Sequence, residues 1–172
     1  MTRSFITETL SDRHERKEFS CDEEVLDNYM RQYAKQDQKR RVAAVFVLPA
    51  EKKLIKGYYT LSSTQIPSDI LPEKLLKKLP SHPYQPATLL GRLAVAESYQ
   101  GKGLGEVLLI DALYRSYNLS EQIGSIAVVV DALNKKAASF YENYGFIKLA
   151  GGKRLFLPMK TIGKLFSNFH LG

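Results

Sequence analysis

Residues 100–105 read QGKGLG, with ATLLGRLAV (87–95) before them and the apolar segment EVLLIDAL (106–113) behind. The first flank has the apolar, branched character of a strand, and the second continues as a helix from about 104 to 117 with apolar residues on most of its faces. A strand, a glycine-rich loop and a helix start place backbone N–H groups outward without intrahelical partners, and anions bind such places. Glycine lets the backbone approach a phosphate and adopt conformations that a Cβ forbids. Lys102 adds positive charge beside the loop. The P-loop pattern GxxxxGK[ST] is absent, and the spacing is GxGxG where the dinucleotide fingerprint needs GxGxxG. Taken alone, the six residues also suit a flexible turn.

Working outward, IAVVV (126–130) reads as a strand covered on both faces, NKKAASFYENY (134–144) as a helix stopped at Gly145, and FIKLA (146–150) and LFLPM (155–159) as closing strands. Upstream, Ser20 and Glu23 form a capping-box pattern, and Val25, Leu26, Tyr29, Met30, Tyr33 and Ala34 recur at helical spacing, predicting a helix over 21–40. VAAVFVL (42–48) and LIKGYYTLSS (54–63) read as two antiparallel strands. Five prolines between 65 and 86, around DILPEKLLKKL, mark a surface excursion with one short helix. Strand-loop-helix-strand passages in succession predict an α/β architecture, a mixed sheet with helices on its faces, in a single domain over 1–172.

The chain's 44% hydrophobic and 25% charged residues exclude disorder as an explanation. The longest apolar runs, such as AAVFVL (43–48), fall far short of the roughly 20 residues that cross a bilayer. The first residues are broken by charge and lack a signal-peptide core, which places the protein in the cytoplasm, away from membranes. One cysteine, Cys21, excludes an internal disulfide and reads as a structural thiol; the histidines at 14, 82 and 170 lack metal-ligand spacing, so no metal is expected. The net charge of +7 gathers at 39–41, 52–53, 77–78, 135–136 and 153–154, consistent with a polyanionic partner or with a solvated basic surface.

RLAVAESYQGKGLG (92–105) and IAVVVDALNKKAASFYENYGF (126–146) together resemble the GNAT-type N-acetyltransferases. The family's acetyl-CoA motif, Q/R-x-x-G-x-G/A, is matched by Gln100, Gly103 and Gly105, and its later asparagine-to-FYxxxGF segment by Asn134, Phe140, Tyr141, Gly145 and Phe146. The resemblance implies the GNAT fold, with a mostly antiparallel central sheet, helices on both faces and one splayed strand pair whose gap takes the pantetheine arm. It implies that Leu93, Ala94 and Val95 line that arm, that Gly101, Lys102, Gly103, Leu104 and Gly105 serve the pyrophosphate, and that Asn134 and Phe140 also touch acetyl-CoA. Asn134 equally suits a helix N-cap.

Asn134 and Tyr141 stand seven residues apart, close to two helical turns, so spacing puts them on one face. The resemblance implies that the family's catalytic tyrosine falls on Tyr141, as leaving-group stabiliser or general acid; Tyr141 also suits a core aromatic beside Phe140 and Tyr144. A thiol near 8.5 and a phenol near 10 make full proton transfer uphill by roughly 2 kcal/mol, so a hydrogen bond to the developing thiolate is cheaper. No histidine or carboxylate in the motif region suggests a general base. That favours an acceptor α-amine, at about 7.7–8.0, over a lysine at about 10.4.

FSCDEEVLDNYMRQYAKQDQKRR (19–41), GYYTLSS (57–63) and LGRLAV (90–95) extend the resemblance to the GNAT toxins of toxin/antitoxin pairs. That resemblance implies acetylation of the α-amine of aminoacyl-tRNA and arrest of translation. It further implies an RNA-contacting surface of Arg92, Lys35, Lys39, Arg40 and Arg41, a homodimer, and a ribbon-helix-helix antitoxin. Lys35, Lys39, Arg40 and Arg41 also suit an ordinary exposed helix end. Acetylation of a small amine or a protein N-terminus, and a non-catalytic CoA- or nucleic-acid-binding regulator, are the competing readings. The last stretch, TIGKLFSNFHLG (161–172), carries apolar residues at near-helical spacing and packs on the core or on a partner.

Overall fold

The computed structural model describes residues 4–167. Phe169 and His170 therefore lie outside the described residues. Seven strands form a sheet in the order β1-β2-β3-β4-β5-β7-β6. β1 (Glu8–Thr9), β2 (Ala44–Pro49) and β3 (Ile55–Pro67) pair antiparallel in sequence. β4 (Tyr84–Val95) runs parallel to β5 (Ala127–Asp131), and β7 (Arg154–Pro158) lies antiparallel to β5 and to β6 (Ile147–Lys148). The expected α/β class and mostly antiparallel sheet are present. The chain clusters into two compact units, residues 4–62 with 91–115 and residues 63–90 with 116–167. β3, β4 and the helix α4 (Leu104–Leu119) each run from one unit into the other.

In the first unit, the core joins Phe19, Leu26, Tyr29 and Met30 to Val45, Val47, Ile55, Tyr58, Ala94 and Ala96. Alternation along β2 puts Val45 and Val47 inward, as a strand's period of two requires. The expected helix over 21–40 begins later and is not regular. It comprises α1 (Glu24–Asn28), a π-helical turn (Tyr29–Tyr33) and α2 (Ala34–Arg40). The capping box is not made: Glu23 is the N-cap without a side-chain bond, because Asp22 turns the chain at φ 69°. The Asp27 carboxylate instead accepts from the Cys21 N–H at 2.7 Å.

α4 presents Leu108, Leu109, Ala112 and Leu113 to the interior, each at most 1% exposed. A polar network also holds it. Asp111 accepts from the Ile6 N–H (3.0 Å), the Thr7 hydroxyl (2.5 Å) and the Tyr59 hydroxyl (2.7 Å). Arg115 donates to Tyr59 and Thr7 while its guanidinium lies over Phe5 and Phe46. This network anchors the first strand, which sequence reading did not anticipate.

In the second unit, Ala127, Val128, Val129 and Val130 are fully buried, matching the expectation for IAVVV. Burial of each valine is worth about 1.5–3 kcal/mol. β4 pairs with β5 through Thr88–Val128 and Leu89–Val129, whereas β4 itself continues to Val95. The proline-rich excursion is shorter than expected. β3 extends to Pro67 and β4 starts at Tyr84, leaving a 3-10 turn (Ser68–Ile70) and α3 (Glu73–Leu76) between them. The expected closing strand FIKLA shrinks to Ile147–Lys148. α6 (Met159–Ser167) buries Ile162 and Phe166, so the described part of the last stretch packs on the core of its own unit.

Candidate active site

The first unit builds the glycine turn. Beyond Val95, a 3-10 turn (Glu97–Tyr99) leads into Gln100, and Gly101 and Gly103 both adopt φ 78°, a left-handed conformation that costs a residue with a Cβ roughly 1–2 kcal/mol. A Cβ at either glycine would meet no protein atom within 4 Å, so the turn faces open space. The first backbone bond into α4 runs from the Val107 N–H to the Gly103 carbonyl at 3.2 Å. The N–H groups of Leu104, Gly105 and Glu106 thus precede the helical ladder, as an anion site requires. Lys102 and Lys56 place their ammonium groups 5.6 and 5.4 Å from the Tyr99 ring centroid. The donors, the open approach and the nearby cations fit a pyrophosphate such as that of acetyl-CoA.

The Gln100 side chain braces the turn. Its Nε2 donates to the Val95 carbonyl and to the Cys21 carbonyl, both at 2.9 Å, tying the turn to the end of β4 and to the segment that leads into α1. The Glu97 N–H adds a bond to the Ser20 carbonyl at 2.8 Å. Leu93 and Val95 are half-buried and Ala94 is buried. Gly57 makes this packing possible, because a Cβ there would lie 2.7 Å from the Ala94 oxygen and from Leu108.

The same unit holds the expected basic residues. Arg92 stacks its guanidinium on the Tyr29 ring. Lys35 is committed to Asp12 at 2.7 Å, and this bond holds the Asp12 carboxyl below its ordinary range. Lys39, Arg40 and Arg41 are exposed at the end of α2 and form no ion pair among the described residues.

The second unit carries the remaining expected site residues, on α5 (Lys135–Asn143) and just before it. Asn134 lies outside the helix with extended backbone and caps it, its Oδ1 accepting from the Ala137 N–H at 2.9 Å. The helical-spacing argument that put it on one face with Tyr141 therefore does not apply. Tyr141 is buried, its ring edge-on to Phe140 at 5.2 Å and to Phe146 at 5.3 Å. Burial pushes its phenol above the ordinary value of 10. Its hydroxyl has no hydrogen-bond partner among the described residues. A neutral phenol without a protein partner is a donor held ready for a developing anion. Half-buried Phe140 packs between Tyr141 and Tyr144.

Two features escaped sequence reading. Tyr29 reads only as an apolar position of a helix and Asp37 carries no reading; the hydrogen bond from the Tyr29 hydroxyl to Asp37 emerges with the folded helix. His14 is held between the Ser11 N–H and Glu8, which removes it from consideration as a base. Among the described residues no group of acidic, histidine or cysteine side chains suits a metal.

Residues 43–148 match the acetyltransferase (GNAT) domain family. The chain belongs to this family. Among curated relatives, the GNAT chain is 33% identical over 137 residues to a tRNA-acetylating toxin of Mycobacterium tuberculosis, covering 80% of this chain and 81% of that protein. It is 30% identical over 162 residues to a probable toxin TacT of Sinorhizobium fredii, covering 89% and 90% of the two. Among solved structures, AtaT complexed with acetyl-methionyl-tRNAfMet superposes with a TM-score of 0.87 at 32% identity, over 95% of this chain and 99% of that one. AtaTR bound with acetyl-CoA gives 0.82 at 31%, over 93% and 96%.

Proposed function

We propose that this GNAT protein transfers the acetyl group of acetyl-CoA to the α-amine of aminoacyl-tRNA, so that the acylated tRNA no longer supports peptide-bond formation. The observation that carries the reading is the likeness to AtaT, solved with acetyl-methionyl-tRNAfMet, over nearly the whole of both chains. Acetyl-CoA supplies an activated thioester. The N–H groups of Gly101, Lys102, Gly103, Leu104 and Gly105 bind its pyrophosphate, Leu93, Ala94 and Val95 line its pantetheine arm, and Gln100 braces the turn. Asn134 and Phe140 are further cofactor contacts, and residues 1–172 are read as a single acetyltransferase domain.

Tyr141 donates a hydrogen bond to the leaving sulfur. Its raised pKa supports this role over full ionisation, because a phenol above 10 gives up its proton to a thiolate near 8.5 only at a cost greater than roughly 2 kcal/mol. The acceptor's α-amine, at about 7.7–8.0, is partly neutral at physiological pH and needs no protein base. Arg92, Lys39, Arg40 and Arg41 bind the RNA backbone, with Lys35 joining when phosphate replaces Asp12 as its partner. In this reading the protein acts in the cytoplasm as a homodimer restrained by a ribbon-helix-helix antitoxin.

The test is direct: incubate the protein with labelled acetyl-CoA and bulk charged tRNA, release the amino acids, and identify the acetylated species by mass spectrometry. Label on aminoacyl-tRNA alone supports the reading. Label on small amines or protein N-termini with equal efficiency overturns the choice of acceptor.

A further inference from the structure

The Arg92 guanidinium carbon lies 3.5 Å from the centroid of the Tyr29 ring. Among the described residues, no hydrogen bond or ion pair occupies its N–H donors. The platform beneath is held from three sides. Tyr29 stacks on Tyr58 with centroids 6.2 Å apart and planes at 19°, Tyr58 donates to the Leu26 carbonyl at 2.7 Å, and the Tyr29 hydroxyl donates to Asp37 Oδ2 at 2.9 Å. Tyr29 is also the first residue of the π-helical turn, where an extra residue per turn re-phases the side chains on either side.

Stacking engages the face of a guanidinium and leaves the in-plane donors free. An arginine fixed this way has lost much of its rotamer freedom before any ligand arrives, so less is lost on binding. Asp37 strengthens the hold, because a carboxylate accepting from the phenol adds electron density to the ring.

We propose that Tyr29, held by Asp37, is a positioning residue that fixes the Arg92 guanidinium so that its planar fork meets a phosphodiester of the acceptor RNA. The inference rests on the reading above that Arg92 serves the acceptor and not acetyl-CoA.

Steady-state acetylation of charged tRNA tests it, with acetyl-CoA affinity measured separately by calorimetry. Tyr29→Leu is expected to raise KM for charged tRNA by about three- to tenfold. Its kcat and its acetyl-CoA affinity stay within about twofold of the parent, by the same argument that the stack touches neither. Tyr29→Phe, which keeps the ring, restores most of the loss, and Arg92→Lys, which keeps only the charge, reproduces it. Should Tyr29→Leu fail to fold, Asp37→Asn is expected to raise the same KM by about twofold, reflecting the weaker ring donor. Tyr29→Phe no better than Tyr29→Leu, an unchanged KM in a folded Tyr29→Leu or Asp37→Asn, or acetyl-CoA affinity lost in parallel overturns the positioning role. Arg92→Ala separates the two levels. If it impairs KM for tRNA while Tyr29→Leu is silent, only the positioning role falls. If Arg92→Ala leaves tRNA acetylation unchanged, the acceptor-side reading falls with it.

Discussion

The Tyr141 ring meets Phe146 edge-on, their centroids 5.3 Å apart and their planes at 60°. This aromatic wall keeps water from the ring and favours the neutral phenol over the phenolate. Tyr141→Phe keeps the ring packing and removes only the donor, so acetyl transfer should fall by about 10²–10³, the usual effect of losing one such donor. Acetyl-CoA binding and thermal stability should barely move. Single-turnover rates with calorimetry of the same variant separate the two effects.

Four of the ten tyrosines, Tyr29, Tyr58, Tyr59 and Tyr141, have their phenols raised above 10, with burial the largest cause in each. A raised folded pKa means that the stability contributed by the neutral form is complete below about pH 10 and is lost as pH climbs through the folded value. Ultraviolet titration should therefore show these tyrosines ionising together with alkaline unfolding, after the exposed ones. The rate profile follows the same sign. Activity should rise through the α-amine pKa near 7.7–8.0 and show no alkaline fall from Tyr141 below about pH 10.

Two glycines should fail in different assays. Gly103→Val places a branched side chain in left-handed backbone beside the phosphate approach, and acetyl-CoA affinity should fall by at least about tenfold. Gly57→Ala drives a methyl against the Ala94 oxygen and Leu108, and should cost about 1–3 kcal/mol of stability. Denaturant unfolding and calorimetry on both variants check the contrast.

Asp111 gathers three donors in the interior of the first unit. Asp111→Ala leaves the Thr7 and Tyr59 hydroxyls and the Ile6 N–H without their acceptor, and Arg115 without its carboxylate 3.9 Å away. A loss of about 3–5 kcal/mol is expected from the denaturant midpoint.

The basic end of α2 should respond to salt. Binding of tRNA should weaken steeply with ionic strength, and the joint reversal Lys39→Glu with Arg40→Glu should flatten that dependence by roughly one power of salt concentration per lost phosphate contact. Filter binding across a salt series measures the slope.

The glycine turn was legible because positive φ and helix initiation are local demands, and QGKGLG declares both. β5 was legible because IAVVV has too many branched apolar residues for any exposed face. Tyr141 is a candidate only through the resemblance of FYENYGF, whereas the packing of its ring emerges from residues Phe140 and Phe146 around it. The π-helical turn was hidden, since the apolar spacing of 25–34 fits an ordinary helix. β1 was hidden for a related reason: its two residues carry little strand character, and Asp111, about a hundred positions later, holds the adjoining residues. The length of β3 was misread because its last segment, STQIP, looks like loop and gains its conformation from Ile66 in the core.

Cys21 is buried, its thiol donating toward the Glu23 carbonyl at 3.7 Å, and its pKa is pushed up to about 12, first by burial and then by Asp27. The nucleophilic thiolate is therefore scarce at neutral pH, and maleimides or disulfide-forming oxidants find little to react with in the native state. A second cysteine introduced on an exposed position would take a fluorophore selectively, giving a singly labelled protein without first deleting the natural thiol.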